Sequence, residues 1–86
     1  MSEMNEYSLD LFYFLQDRFP EKHIDEEFFD FLIREGFSLE VEKQSLDPFH
    51  LSKLQAEEIK EVFRKISEEG FDTMLELISQ KITKRE

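Results

Sequence analysis

Glycine and proline are scarce in this sequence, and their scarcity constrains the fold more than any other feature. Two glycines and two prolines among 86 residues cannot supply the frequent turns of a β-sandwich or a β-barrel. Ten phenylalanines and no cysteine mean that the core must be apolar rather than held by disulfides. We therefore expect an all-α protein, a compact bundle of four to five short helices in a single domain.

The first predicted helix starts at Ser8, which can cap it, and ends near Phe19, where Pro20 prevents its continuation. Residues 1–7 before it are expected to be a flexible N-terminus. Its core-facing stripe has helical spacing and comprises Leu11, Phe12, Leu15 and Phe19. Tyr13 widens this stripe to one side, and Phe14 points nearly opposite to it. A helix that is apolar over most of its circumference is either deeply buried or has a second contact surface.

The second predicted helix spans residues 24–35 and also carries two apolar strips. The core-facing strip is expected to comprise Ile24, Phe28, Phe31 and Leu32. Phe29 and Ile33 are four residues apart and form a second strip on a different side. Glu26, Glu27 and Asp30 cluster on the remaining surface.

We expect the helical domain to cover residues 8–84, followed by a C-terminal end at 85–86. Two glycines divide the part of this domain that follows the second helix. Gly36 and Gly70 each follow a glutamate and precede a phenylalanine, which predicts a helix end with a left-handed glycine. Residues 37–47 fit either a short helix or an edge strand. A long, distorted helix is expected over residues 48–69, because both Asp47 and Ser52 can start it. A last helix is expected over residues 73–84.

The negative charge is concentrated in the first half of the chain. Residues 1–42 hold 12 acidic and 3 basic side chains, a net of −9, whereas residues 43–86 hold 9 and 8, a net of −1. Such a field repels nucleic-acid phosphates and attracts basic partners, so we expect no direct nucleic-acid binding. The sequence has no membrane-spanning apolar run and an acidic start without a secretory signal, from which we expect a cytoplasmic protein.

Enzymatic chemistry finds little support in these residues. There is no cysteine nucleophile, and two isolated glycines cannot form a phosphate-binding loop. His23 lies three and four residues before Glu26 and Glu27, but a metal-dependent enzyme would need His50 to meet it in space. That is the least favoured alternative. We expect no catalytic residue, no metal and no cofactor.

The phenylalanine excess suggests instead a protein-binding surface in the first half. Apolar residues off the main stripes should leave an exposed patch beside the acidic cluster, and aromatic anchors with a charged rim are typical of interfaces. The leading hypothesis is an acidic interaction or regulatory module, whose sharper form is an inhibitor that mimics DNA and occupies a basic nucleic-acid-binding protein. An alternative is a structural homodimer. The predicted partner-binding residues are Tyr13, Phe14, Glu26, Glu27, Phe29, Asp30 and Ile33.

Overall fold

A computed structural model describes residues 3–37 and 47–84 of the protein, and its first helix begins earlier than predicted. Helix α1 spans Glu6–Arg18. Its N-cap is Asn5, whose side-chain oxygen accepts a hydrogen bond from the Ser8 backbone N–H at 2.8 Å. The prediction that Ser8 caps the helix is wrong, because Ser8 lies within the first turn. The Ser8 hydroxyl is buried and accepts a hydrogen bond from the backbone N–H of Leu51 at 2.9 Å.

The connection from α1 to the second helix is a 3₁₀ turn over Pro20–Lys22 followed by His23, which has a left-handed φ of 53°. Helix α2 spans Glu26–Phe31, is capped by the Asp25 carboxylate, and continues as a π-helical segment, Leu32–Phe37. Gly36 therefore lies inside this segment. No glycine in the described part of the chain has a positive φ, so the left-handed glycines were predicted wrongly.

Helix α3 spans Lys53–Lys65 and begins at the second of its two predicted starts. The Ser52 hydroxyl accepts from the Gln55 backbone N–H at 3.2 Å, and the Gln55 side chain accepts from the Ser52 backbone N–H at 2.9 Å. Asp47 instead stabilises a single turn, in which its carboxylate accepts a hydrogen bond from the Phe49 backbone N–H at 3.1 Å. The choice between helix and edge strand for residues 37–47 concerns mainly residues 38–46, which lie outside the described residues.

Helix α4 spans Glu68–Lys84, so the predicted single helix over residues 48–69 is wrong. The chain leaves helical conformation at Ile66 and Ser67. The Ser67 hydroxyl then accepts from the Gly70 backbone N–H at 3.1 Å, as a cap does. Gly70 therefore belongs to the first turn of α4 rather than to a helix end.

One hydrophobic core connects these helices. Three contacts join α1 to α3 and the residues flanking it, in the same order along both segments: Ser8 to Leu51, Asp10 to Lys60, and Arg18 to Ile66. The two helices therefore run parallel. The buried core residues are Leu11, Leu15, Phe19, Ile24, Phe29, Leu32, Ile33, Leu51, Ile59, Phe63 and Phe71.

The all-α class is confirmed, since residues 3–37 and 47–84 contain helices and turns but no strand. None of the helices in these two ranges combines the length and the apolar character that crossing a membrane requires.

Candidate protein-binding surface

Phe29 and Ile33 were expected on an exposed strip, and that expectation is wrong. Both side chains are fully buried. The Phe29 ring packs edge-on against Phe12 of α1, with centroids 5.4 Å apart. Because apolar residues surround most of α2, their spacing cannot show which strip faces the core. These two residues are core residues and cannot anchor a partner in this conformation.

Phe14 also lies closer to the core than expected, because the seam between α1 and α3 covers it. Its side chain is partly buried and packs against the core. The Arg64 guanidinium lies 5.5 Å from the ring centroid, and the Lys60 ammonium lies 6.0 Å from it. The ring is thus already occupied by two cations of the protein itself.

Tyr13 is the predicted aromatic anchor that remains at the surface. Its side chain is 58% exposed, and its ring centroid lies 5.9 Å from that of Phe12, which supports it from the inner side. Leu9, one helical turn earlier, is 38% exposed. The two side chains are four residues apart, so they are neighbours on the outer face of α1.

The predicted acidic residues of α2 fall into two groups. Glu26 and Glu27 are exposed, and neither carboxylate has an ion pair or hydrogen bond to another described residue. Asp30 is half-buried and accepts a hydrogen bond from the Arg34 guanidinium at 2.5 Å. Glu26 and Glu27 are thus accessible to a partner, whereas Asp30 is paired with Arg34 of the π-helical segment.

The contacts between α1 and the segment that contains α2 do not involve Tyr13, Glu26 or Glu27. Besides the contact of Phe12 with Phe29, the Gln16 side chain donates to the Ile24 carbonyl at 2.9 Å. No hydrogen bond, ion pair or ring contact among the described residues connects Tyr13 to Glu26 or Glu27. The exposed anchor and the free acids therefore belong to one half of the molecule but to separate helices.

Basic side chains near this half are engaged within the fold. Arg18 donates to the Ile66 carbonyl at 2.9 Å and lies over the Phe19 ring. Lys60 is only 8% exposed and donates to the carboxylate of Asp10. Arg18 and Lys60 are therefore both paired with groups of the fold itself.

Lys22 is the basic residue of the 3₁₀ turn, and its ammonium donates to the Asp72 carboxylate of α4 at 2.6 Å. This hydrogen bond raises the pKa of Lys22 above 10.5, and the charges of Asp72, Glu68 and Glu21 act in the same direction. Lys22 is therefore bound to a carboxylate of the second half and does little to offset the acids of α2.

The two histidines lie at exposed positions. His23 has no side-chain partner among the described residues, and His50 Nδ1 lies 3.1 Å from a carboxylate oxygen of Asp47. Within residues 3–37 and 47–84, no group of three or more possible metal ligands is assembled. The metal-enzyme alternative gains no support from this arrangement.

The sequence interpretation missed a second set of exposed apolar side chains, all in the second half. Leu54 is 71% exposed and Leu77 is 54% exposed. Val62 is 41% exposed. Their helical spacing carries no signal that separates them from core positions, because each lies at the border of an apolar stripe.

Comparisons of the chain with protein-family models, with curated proteins and with solved structures gave no match.

Proposed function

We propose that this protein is a small acidic interaction module that binds and regulates a basic protein through its first half. The observation that carries the proposal is the surface of α1 and α2. Tyr13 of α1 is exposed, Glu26 and Glu27 of α2 have no ion pair or hydrogen bond to another described residue, and Arg18, Lys22 and Lys60 are paired within the fold. The more specific form of this proposal is that the module acts as a DNA mimic and occupies the nucleic-acid site of its partner.

The two kinds of residue would make different contributions to binding. Exposed charges accelerate the encounter with an oppositely charged partner and make it dependent on salt. A tyrosine supplies a large contact area at a small cost in conformational entropy, which is why tyrosines are common binding hot spots. Glu26 and Glu27 would steer the partner, and Tyr13 would anchor it.

A structural homodimer is the second candidate, and a specific observation favours it. Leu54, Val62 and Leu77 expose apolar area in the second half, where the net charge is near zero and repulsion between two copies is weak. This arrangement would place the contact between copies on α3 and α4, away from the acidic half.

Site-specific photo-crosslinking separates the two candidates. A photoreactive amino acid is introduced at Tyr13 or Glu27 in the full chain, and at Glu76 of α4 as the control, in the cells that normally produce the protein. We expect a basic protein to be crosslinked from positions 13 and 27 but not from 76. The crosslinked protein is then purified and its affinity for the chain is measured.

Charge-neutral variants complete the test. The double variant E26Q/E27Q should bind this partner at least about tenfold more weakly at low salt, since it loses two steering charges. The matched variant E58Q/E76Q loses two exposed carboxylates that have no partner among the described residues, and should bind like the original chain. Equal losses in both variants, or crosslinks only to a second copy of this chain, would contradict the proposal.

A further inference from the structure

The outer face of α1 carries both apolar and acidic side chains. Four exposed side chains lie on this face: Leu9, Asp10, Tyr13 and Asp17. Asp10 precedes Tyr13 by three residues, and Asp17 follows it by four. On an α-helix, residues three and four apart are neighbours on one face, with Cβ atoms roughly 5–6 Å apart. Tyr13 therefore has a carboxylate on either side of it, and Leu9 extends its apolar surface.

The two carboxylates beside Tyr13 are not equivalent. Asp10 accepts a hydrogen bond from Lys60, so its charge is neutralised from within the fold. The Asp17 carboxylate has no ion pair or hydrogen bond within residues 3–37 and 47–84. Helical side chains lean toward the N-terminus of their helix, which directs Asp17 back over the turn that carries Tyr13. Asp17 is thus a neighbour of Tyr13 on the same face of α1.

An exposed aromatic ring next to a free carboxylate matches the chemistry of arginine better than that of lysine. A guanidinium is planar, stacks on an aromatic face and can donate two parallel hydrogen bonds to one carboxylate. An ammonium is a compact, strongly hydrated point charge and gains less from such a pair. Within residues 3–37 and 47–84 no cation lies over the Tyr13 ring, since Arg18 donates to the Ile66 carbonyl and Lys60 to the Asp10 carboxylate.

We infer that the outer face of α1 is an arginine-binding surface, where a guanidinium of the basic partner stacks on Tyr13 and pairs with Asp17. This inference rests on the proposed function and gives its partner a specific chemistry, an arginine-rich protein segment. Leu9 would contact the apolar part of the same segment. The free acids of α2 would then add attraction that does not distinguish arginine from lysine.

Two labelled peptides of equal formal charge test this inference, hexa-arginine and hexa-lysine. Their affinities for the full chain are measured at low salt by the fluorescence anisotropy of the label. We expect hexa-arginine to bind about threefold more tightly, as a single exposed cation–π contact allows. The variants Y13A and D17N should each remove most of this preference. L77A and E76Q alter an exposed apolar and an exposed acidic residue of α4, and should retain it.

The tyrosine emission of the protein locates the contact. The chain has two tyrosines, Tyr7 and Tyr13, and no tryptophan, so the variant Y7F makes Tyr13 the only emitter. Unlabelled hexa-arginine should change this emission in a saturable way, and hexa-lysine should change it less.

Each outcome of these titrations decides between the claims. Equal affinity for both peptides, or an arginine preference that survives in Y13A, would overturn the arginine-binding surface while leaving the proposed function intact. Failure of both peptides to bind at low salt would overturn both claims, because neither the steering acids nor the ring would then recognise a basic partner. Circular dichroism of each variant verifies that the helices are retained.

Discussion

The rings of Phe19 and Phe71 stack with centroids 4.5 Å apart and an angle of 11° between their planes. This contact joins the C-terminal end of α1 to the first turn of α4. Phe63 of α3 meets both rings edge-on, with centroids 6.1 Å and 6.0 Å away. All three side chains are fully buried, so three helices meet in one aromatic cluster.

The first prediction concerns this cluster. Phe71→Ala should lower the free energy of unfolding by about 3–5 kcal/mol, because it removes a fully buried ring and leaves a cavity. Leu77→Ala is the matched control on the same helix, and its exposed side chain should cost about 0.5 kcal/mol or less. Urea unfolding followed by circular dichroism gives both values. Similar losses in the two variants would show that Phe71 is not in the core.

The second prediction concerns the buried hydroxyl of Ser8. Ser8→Ala removes the acceptor of the Leu51 backbone N–H, and an unsatisfied buried donor costs about 1–3 kcal/mol. The variant should also lose hydrogen-exchange protection at the Leu51 amide. Ser52→Ala is a useful comparison, since it removes the cap of α3 and should cost about 1 kcal/mol without that selective loss at Leu51. Unchanged protection at Leu51 would contradict the assignment.

The third prediction follows from the unequal burial of one ion pair. The Lys60 side chain is 10% exposed, whereas the Asp10 side chain is 66% exposed. Asp10→Asn removes the closer of two carboxylates and leaves a nearly buried ammonium whose remaining carboxylate partner among the described residues is Glu57, 3.8 Å away. Lys60→Met leaves a carboxylate in water and keeps the apolar packing. Asp10→Asn should therefore be the more destabilising change, by about 1 kcal/mol or more in urea unfolding. The reverse order would refute this explanation.

The fourth prediction concerns pH. Because the pKa of Lys22 is raised above 10.5 in the folded protein, its pair with Asp72 stabilises the fold below that pH. The stabilisation is lost as the pH rises through the raised pKa. The melting temperatures of the original chain and of Asp72→Asn should thus differ at neutral pH and converge once the pH exceeds the raised pKa of Lys22. Glu76→Gln, on the same helix, should show no such convergence. A constant difference for Asp72→Asn would contradict the prediction.

The sequence determined the helical class and the core stripe of α1 correctly. Leu11, Leu15 and Phe19 are buried as predicted, because a stripe at helical spacing with a proline after it has few alternatives. The capping box at Ser52 was likewise visible in the sequence. The signal at Gly70 was misleading, since a glycine after glutamate also fits the first turn of a helix capped by Ser67.

The candidate surface was predicted less well than the fold. A helix with apolar residues around most of its circumference does not show how many of its strips are buried. Around α2 the predicted core residues Ile24 and Leu32 are buried, but so is the strip that was expected to be exposed. Phe29 and Ile33 face the core, and the π-helical segment after Phe31 has a spacing that α-helical periodicity does not describe. The coverage of Phe14 depends on neighbours that only the folded chain provides. The pairing of Asp30 with Arg34, four residues later, is a local helical contact that the sequence spacing could have predicted.

The most direct test of the central claim, that the acidic first half binds a basic partner, is a chemical-shift map. The full chain labelled with ¹⁵N is titrated with hexa-arginine at low salt. We expect the largest amide shifts at Tyr13, Asp17 and residues 21–27, and we expect them to diminish as salt is added. Largest shifts around Leu54 and Leu77, or no shifts at any peptide concentration, would contradict it.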